Sequence, residues 1–169
     1  MRLNKESNTL HLLYYITSHG FGHAVRSAAI CNHISNDIEI TFRTTIPEQF
    51  FKMEMKRSFK YYPGKFDCGC IQSDSITVEK LKTLKMYMKI ADKNEQLIES
   101  EVGWCKRNSV TTIVSDIVPF AFLVGFKAQI PTVAVSNFTW YDIYEPYITI
   151  LPEFQPYLNT MKNQYEKAN

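Results

Sequence analysis

Two histidines and two glycines stand close together near the start of the chain, in the segment His19-Gly20-Phe21-Gly22-His23. Glycines allow tight turns and let the backbone approach a ligand closely. His23 falls where a helix is predicted to begin, and the positive end of a helix dipole disfavours a charged imidazolium. A neutral imidazole that faces a cleft can accept a proton from a hydroxyl group. We therefore predict a general base at His23. A histidine that only caps the helix or packs in the loop is an equally good interpretation of His23 taken alone.

Asp116 is the predicted partner of His23. It ends an apolar stretch, residues 111–115, that is typical of a buried strand. A carboxylate beside an imidazole accepts a hydrogen bond from one ring nitrogen, which fixes the tautomer and stabilises the imidazolium that forms when the other nitrogen takes a proton. The alternative is that Asp116 caps the helix predicted to begin near Pro119.

The remaining candidates are predicted to contact substrate. Besides Gly20 and Gly22, they are His19, which contacts an acceptor or phosphate or only shapes the turn, and Arg26, which pairs with an anionic group or is solvated. Asn137 offers an amide to hydroxyl groups and Trp140 a ring face to a sugar, although aromatic clusters more often belong to a core.

Short apolar runs alternate with helical patterns along the chain. We predict strands over residues 10–16, 38–43, 59–62, 111–115 and 131–136. We predict helices over residues 24–34, 47–55, 76–106 and 119–128, and a helix or turn over residues 138–147. Asp74 or Ser75 is the candidate cap of the longest helix, in which Gly103 is a candidate interruption. Residues 65–74 show no period and are predicted to form a loop, in which Asp67 and Gln72 could line a cleft, and a Pro-punctuated tail ends the chain.

This alternation predicts an α/β fold, a Rossmann-like three-layer sandwich with a mainly parallel sheet. Ligands bind beyond the carboxyl ends of the strands in such sheets. The segments 19–23, 116–119 and 136–140 follow three different predicted strands, and we expect them to meet at one edge.

Composition excludes several classes of protein. The 169 residues suit one domain, and 19 Lys and Arg against 17 Asp and Glu give a net charge of +2, which does not favour nucleic acid as a partner. Residues 1–8 lack the apolar core of a signal peptide, and no apolar run reaches the roughly 20 residues of a membrane span, so we expect a cytoplasmic protein without a transmembrane segment. Cys68 and Cys70 are one residue apart, unlike the ligands of zinc sites, and we expect reduced thiols and no metal.

Four separated segments resemble known proteins. YYITSHGFGHAVRSAAICNHI resembles the first strand, loop and helix of the GT-B glycosyltransferases, which include the MurG-type N-acetylglucosaminyltransferases and the UDP-glycosyltransferases. With DCGCIQSDSITVEKL, IVSDIVPFAF and VAVSNFTWYDIY, it is also similar to the glycosyltransferase-like N-terminal domain of L-arabinokinases, over about residues 12–147.

The resemblance implies a function and a domain organisation. Gly22-His23 matches the step at which those transferases carry their general base, and Asp116 matches the residue that orients the base. It implies that residues 1–169 form the N-terminal, acceptor-side domain of a nucleotide-sugar-dependent transferase that moves a hexosyl group to a hydroxyl acceptor. The donor-binding C-terminal domain is expected outside this chain, as a further domain or a separate subunit. No cofactor is expected, since the nucleotide sugar, for example a UDP-sugar, is the donor substrate.

Two other interpretations stay open. A non-catalytic module that binds sugar or nucleotide is the main alternative. A dinucleotide-dependent oxidoreductase is disfavoured because Val25 stands where the G-x-G-x-x-G motif has its third glycine, and because the second strand ends in Arg43-Thr44 rather than an acid.

Overall fold

The computed structural model of the protein describes residues 9–168. Within them, five strands form one sheet in the order β3-β2-β1-β4-β5, and every neighbouring pair is parallel. The strands are β1 (His11–Ile16), β2 (Glu39–Arg43), β3 (Lys60–Tyr61), β4 (Thr112–Asp116) and β5 (Thr132–Ala134). The predicted α/β fold with a parallel sheet is confirmed.

Helices cover both faces of the sheet. They are α1 (Phe21–Cys31), α2 (Glu48–Glu54), α3 (Lys80–Arg107), α4 (Pro119–Ala128), α5 (Trp140–Tyr144) and α6 (Gln155–Tyr165). Successive β1 side chains point to opposite faces. Tyr14 and Ile16 pack in one core with residues of α1 and α2, whereas Leu13 and Tyr15 pack in another with residues of α3 and α4. Three layers follow from this alternation.

The order of the strands places a crevice between β1 and β4. The chain runs outward from β1 to β3 and then returns to β4 on the other side of β1, where Ile16 is in register with Asp116. The connections after β1 and β4 therefore lead to helices on opposite faces of the sheet. Such a switch point is where open α/β sheets bind ligands.

The first helix begins earlier than the sequence predicts. Phe21, Gly22 and His23 form the first turn of α1 instead of a loop, and the helix ends at Cys31 rather than residue 34. Gly20 occupies the N-cap position and accommodates the turn with φ 73° and ψ 167°, a region open essentially to glycine alone.

The long helix begins later than predicted. Asp74 does not cap α3, because its carboxylate accepts the amides of Ile76 and Thr77 in a local turn that precedes the helix. The N-cap is Glu79, and Gly103 lies within an uninterrupted α3. The aspartate stabilises a turn instead of the helix, which is a common use of this residue type.

The C-terminal tail contains a helix that the sequence pattern missed. The sequence predicts only a Pro-punctuated tail here, whereas Pro152 lies in the first turn of a 3-10 helix and Pro156 in the first turn of α6. Proline is tolerated there because the first amides of a helix have no intrahelical acceptor. Leu158 and Met161 bury one face of α6 against a third core cluster that includes Trp140 and Tyr144.

Among residues 9–168, no helix is both long enough and apolar enough to cross a bilayer. The expectation that residues 1–8 are not a signal peptide lies outside the described residues.

Candidate functional site

The loop after β1 leaves open space at the carboxyl edge of the sheet. A Cβ atom added at Gly20 or Gly22 would have nothing within 4 Å. No side chain caps α1, so the first amides of this helix keep their hydrogen-bonding capacity. Close packing against neighbouring atoms therefore does not explain why these two residues are glycines. They leave room for a ligand to approach the backbone at the start of a helix.

His23 and Asp116 meet beside this space. His23 Nδ1 lies 2.7 Å from Asp116 Oδ1, and their side chains are 12% and 0% exposed. A carboxylate oxygen can only accept, so this contact favours the tautomer with the hydrogen on Nδ1 and the lone pair on Nε2. Arg26 Nη2, which can only donate, lies farther from the same nitrogen, at 3.2 Å. The structure thus brings together the two residues for which the sequence predicts a base and its orienting group, and those chemical roles stay predictions.

Asp116 has further partners on α1. Its carboxylate accepts Arg26 Nη2 at 2.6 Å, Arg26 Nε at 3.1 Å and Ser27 Oγ at 3.1 Å. The alternative that Asp116 caps the next helix is wrong, because the N-cap of α4 is Val118 and this helix has no side-chain cap hydrogen bond. Ile117, directly after Asp116, has a φ of 68°, which is rare for a β-branched residue and turns the chain sharply at this point.

Arg26 is the positive partner of Asp116. The hydrogen bond to Asp116 raises the pKa of Arg26 above its ordinary value. About a third of the Arg26 side chain, 34%, stays exposed, and Nη1 reaches Asn137 Oδ1 at 3.5 Å. Asn137 itself is exposed. Both residues therefore border the open space, and their contact with a substrate stays a prediction.

His19 is held between two neighbouring segments. Its ring meets Trp140 edge to face at 5.4 Å. On another side it packs against Gly69, which has φ +58° and at which an added Cβ would lie 2.3 Å from His19 Cβ. Burial and the nearby His23 lower the pKa of His19, so its neutral form is favoured.

Trp140 is a core residue, which corrects its prediction as a sugar-stacking platform. It is 1% exposed and its ring stacks on Tyr144 at 5.7 Å. The indole Nε1 donates to Asp67 Oδ2 at 2.9 Å. A ring covered in this way offers no free face to a ligand.

The loop that follows β3 contributes Asp67 below the site. Asp67 is 2% exposed and also accepts Thr17 Oγ1 at 3.0 Å, at the end of β1. Gln72, by contrast, is exposed and forms an isolated bridge with Val78. The sequence around Asp67 has no periodic pattern, so only the tertiary contact reveals that it is buried.

A second charged cluster lies inside the molecule. Arg43, at the end of β2, pairs with Glu101 of α3, and Glu101 also accepts the hydroxyl of Tyr15 at 2.8 Å. Arg43 also donates to the carbonyl oxygens of Tyr62 and Pro63, so its guanidinium is fully engaged. This cluster is structural. In the described part of the chain, no group of three or more His, Cys, Asp or Glu side chains could hold a metal ion.

Comparisons with known proteins agree with this fold. No protein-family model matches the sequence. An L-arabinokinase of Arabidopsis thaliana is 33% identical over 151 residues, which cover 86% of this chain and 14% of that protein.

Two solved structures superpose with a TM-score of 0.50. Apo UGT2 of Phytolacca americana is 10% identical and the match covers 75% of this chain. A UDP-glucosyltransferase from Polygonum tinctorium, described as capable of glucosylating indoxyl, is 18% identical and the match covers 77% of this chain. This chain spans 29% of each of the two structures. At these identities the likeness shows the fold, and the resemblance predicted from the four sequence segments is confirmed.

Proposed function

We propose that this chain, a GT-B glycosyltransferase-like module that is similar to part of an L-arabinokinase, is an acceptor-binding half of a nucleotide-sugar-dependent hexosyltransferase. The observation that carries the proposal is the contact of His23 Nδ1 with the buried Asp116 carboxylate beside an open, glycine-lined helix start. The pair has the geometry of a base held by an orienting acid.

The proposed reaction begins with an acceptor hydroxyl hydrogen-bonded to His23 Nε2. As the acceptor oxygen forms a bond to the anomeric carbon of the donor, its proton moves to Nε2. The bond between that carbon and the phosphate oxygen breaks, and its electron pair leaves with the nucleoside diphosphate. Asp116 stabilises the imidazolium that results, and the hydrogen bonds from Arg26 and Ser27 keep the carboxylate in place.

The donor is proposed to bind mainly outside these residues. The chain spans 29% of each of the two glycosyltransferase structures described above. We propose that a further domain or a separate subunit binds the donor. No metal or further cofactor is part of the proposal, because helix N-termini can stabilise a leaving diphosphate through their dipoles and free amides.

The experiment is a transfer assay with this chain joined to, or mixed with, its donor-binding domain. We expect His23→Ala to lower turnover by about 10²- to 10⁴-fold, the usual contribution of a general base. His33→Ala is the matched control, since His33 is exposed just after the end of α1 and its ring hydrogen-bonds to the carbonyl oxygen of Ala29. Wild-type turnover in both variants would remove His23 from the reaction.

The alternative is a non-catalytic module that binds sugar or nucleotide at the open, glycine-lined start of α1. The same assay separates the two. A module of that kind binds sugar or nucleotide in calorimetry, gives no turnover with any donor domain, and binds equally well after His23→Ala.

A further inference from the structure

Asp67 connects the loop after β1 to the start of α5, although it belongs to neither of them. It belongs to the segment between β3 and α3. Oδ1 accepts the hydroxyl of Thr17 in the loop after β1, and Oδ2 accepts the indole N–H of Trp140 at the start of α5. Both donors approach a carboxylate that is 2% exposed.

The indole N–H can only donate, so Oδ2 must accept, whereas the Thr17 hydroxyl can donate or accept. An asparagine at this position could turn its oxygen to Trp140 and its N–H₂ group to Thr17. It would replace a charged acceptor by a neutral one. Among residues 9–168, no Lys or Arg forms an ion pair with Asp67, so its contacts are hydrogen bonds from neutral groups.

The same segment supports His19. Gly69, two residues after Asp67, packs directly against the His19 ring, and Trp140 covers another side of that ring. Gly69 O accepts the hydroxyl of Tyr144 at 2.6 Å, which fixes the segment to α5. Asp67 and Gly69 therefore both contact the loop after β1, which carries His19 and leads into the first turn of α1 with His23.

We propose that Asp67 is a positioning residue, which holds the loop after β1 to the start of α5 and so sets the positions of His19 and His23. The inference rests on the proposed function of this site. It adds a second buried carboxylate whose task is to orient loops, whereas Asp116 orients the His23 ring.

The groups packed around Asp67 agree with a carboxylate held in a closed interior. Burial raises the pKa of Asp67, while the hydrogen bonds from Thr17 and Trp140, and to a lesser degree the charge of His23, act in the opposite direction. Burial also raises the pKa of the neighbouring Tyr87, Tyr144, Tyr165 and Cys68, and the Asp67 charge adds to each shift. Burial outweighs the hydrogen bonds, so the net pKa of Asp67 is raised.

The test compares Asp67→Asn with wild-type chain by amide and indole hydrogen exchange, measured by NMR. We expect the Trp140 indole N–H and the hydrogen-bonded amides of Thr17, His19 and Gly20 to exchange about tenfold faster, because the charged acceptor at residue 67 becomes neutral. Amides of β1, β4 and α3 should change less. Asp92→Asn is the matched control, since Asp92 is exposed and accepts a single hydrogen bond from Tyr157.

Two results overturn the proposal. One is wild-type exchange of the indole and the loop in Asp67→Asn. The other is an equal loss of protection throughout the sheet, which would show a general loss of stability. If Asp67→Asn does not fold, Thr17→Val and Trp140→Phe each remove one donor to Asp67. Faster exchange at the amides of Thr17 and Gly20, with little change in the sheet, is expected for both variants.

Transfer assays distinguish this proposal from the proposed function. If wild-type protein transfers hexose, Asp67→Asn should lower kcat about tenfold or more and change the acceptor KM little, because misplaced groups act mainly on the chemical step. If no variant transfers hexose, the proposed function fails, and the exchange pattern still decides the role of Asp67.

Discussion

Replacing Asp116 with asparagine should destabilise the fold by an amount that the structure allows to be apportioned. The carboxylate accepts hydrogen bonds from His23, Ser27 and two nitrogens of Arg26. Asparagine keeps the shape but has one acceptor oxygen and no charge. Its N–H₂ group must face at least one of these donors, and the guanidinium loses its counterion.

The magnitude follows from the exposure of the partners. Removing one member of a fully buried ion pair costs about 3–5 kcal/mol. Arg26 keeps 34% of its side chain exposed and can turn towards water, so we expect a smaller cost, about 2–3 kcal/mol. In a chain of this size each 1 kcal/mol corresponds to about 2–4 °C, so Tm should fall by about 4–12 °C.

Urea and thermal unfolding of four proteins test this account as a double-mutant cycle. In an Arg26→Ala background, Asp116→Asn should cost only about 1 kcal/mol, because the guanidinium that needed the charge is gone. Ser27→Ala alone should cost about 1 kcal/mol, as one hydrogen bond is lost. Equal costs of Asp116→Asn in both backgrounds would refute the view that Arg26 is the main partner of Asp116.

Three further outcomes are expected. Gly69→Ala should lower the free energy of unfolding by about 1–3 kcal/mol, because the positive φ and the contact with His19 leave no room for a Cβ. Gly22→Ala should raise it by about 0.5–1 kcal/mol, because its Cβ would lie in open space within a helix. Chemical denaturation measures both changes, and two changes of the same sign would contradict the reasoning. The pKa of His19 in the folded state is lowered from 6.5, so the unfolded chain binds more protons below about that pH, and the free energy of unfolding should fall as the pH drops through it. His19→Gln should weaken this pH dependence in urea unfolding at several pH values. An unchanged pH dependence would count against a neutral His19 ring. Glu101→Gln should cost about 3–5 kcal/mol, since the paired Arg43 is buried and cannot turn to solvent, and a loss below about 1 kcal/mol would show that the pair is dispensable.

The meeting of His23 and Asp116 could be expected from the sequence for a specific reason. Apolar strands that alternate with helices form parallel sheets, and the residues after parallel strands share one edge. What the pattern does not contain is the order of the strands. The contact at 2.7 Å depends on β4 lying directly beside β1, which is decided by the crossover through α3.

Other features depended on tertiary contacts that no local pattern encodes. The sequence makes Trp140 a candidate site residue because an aromatic face can stack on a sugar, although aromatic clusters more often belong to a core. Its burial is decided by α6, whose Leu158 and Met161 pack in the same cluster, and α6 was missed because prolines mark a helix start as readily as a break. Asp67 lies in an aperiodic loop, and its importance became visible only through Thr17 and Trp140.

The candidate site has a closed floor and an open upper side, and this difference decides what each substitution can report. On the floor, Asp116 and Asp67 are buried and accept hydrogen bonds from neighbouring side chains, so a change there alters stability and geometry together. On the upper side, Gly22 borders empty space, so an added methyl group occupies only volume that a ligand would need. A Gly22→Ala variant that has a higher free energy of unfolding than wild type but no longer binds the acceptor would therefore locate the acceptor at the start of α1. Substitutions of the two aspartates cannot give this result, because they change stability and site geometry together.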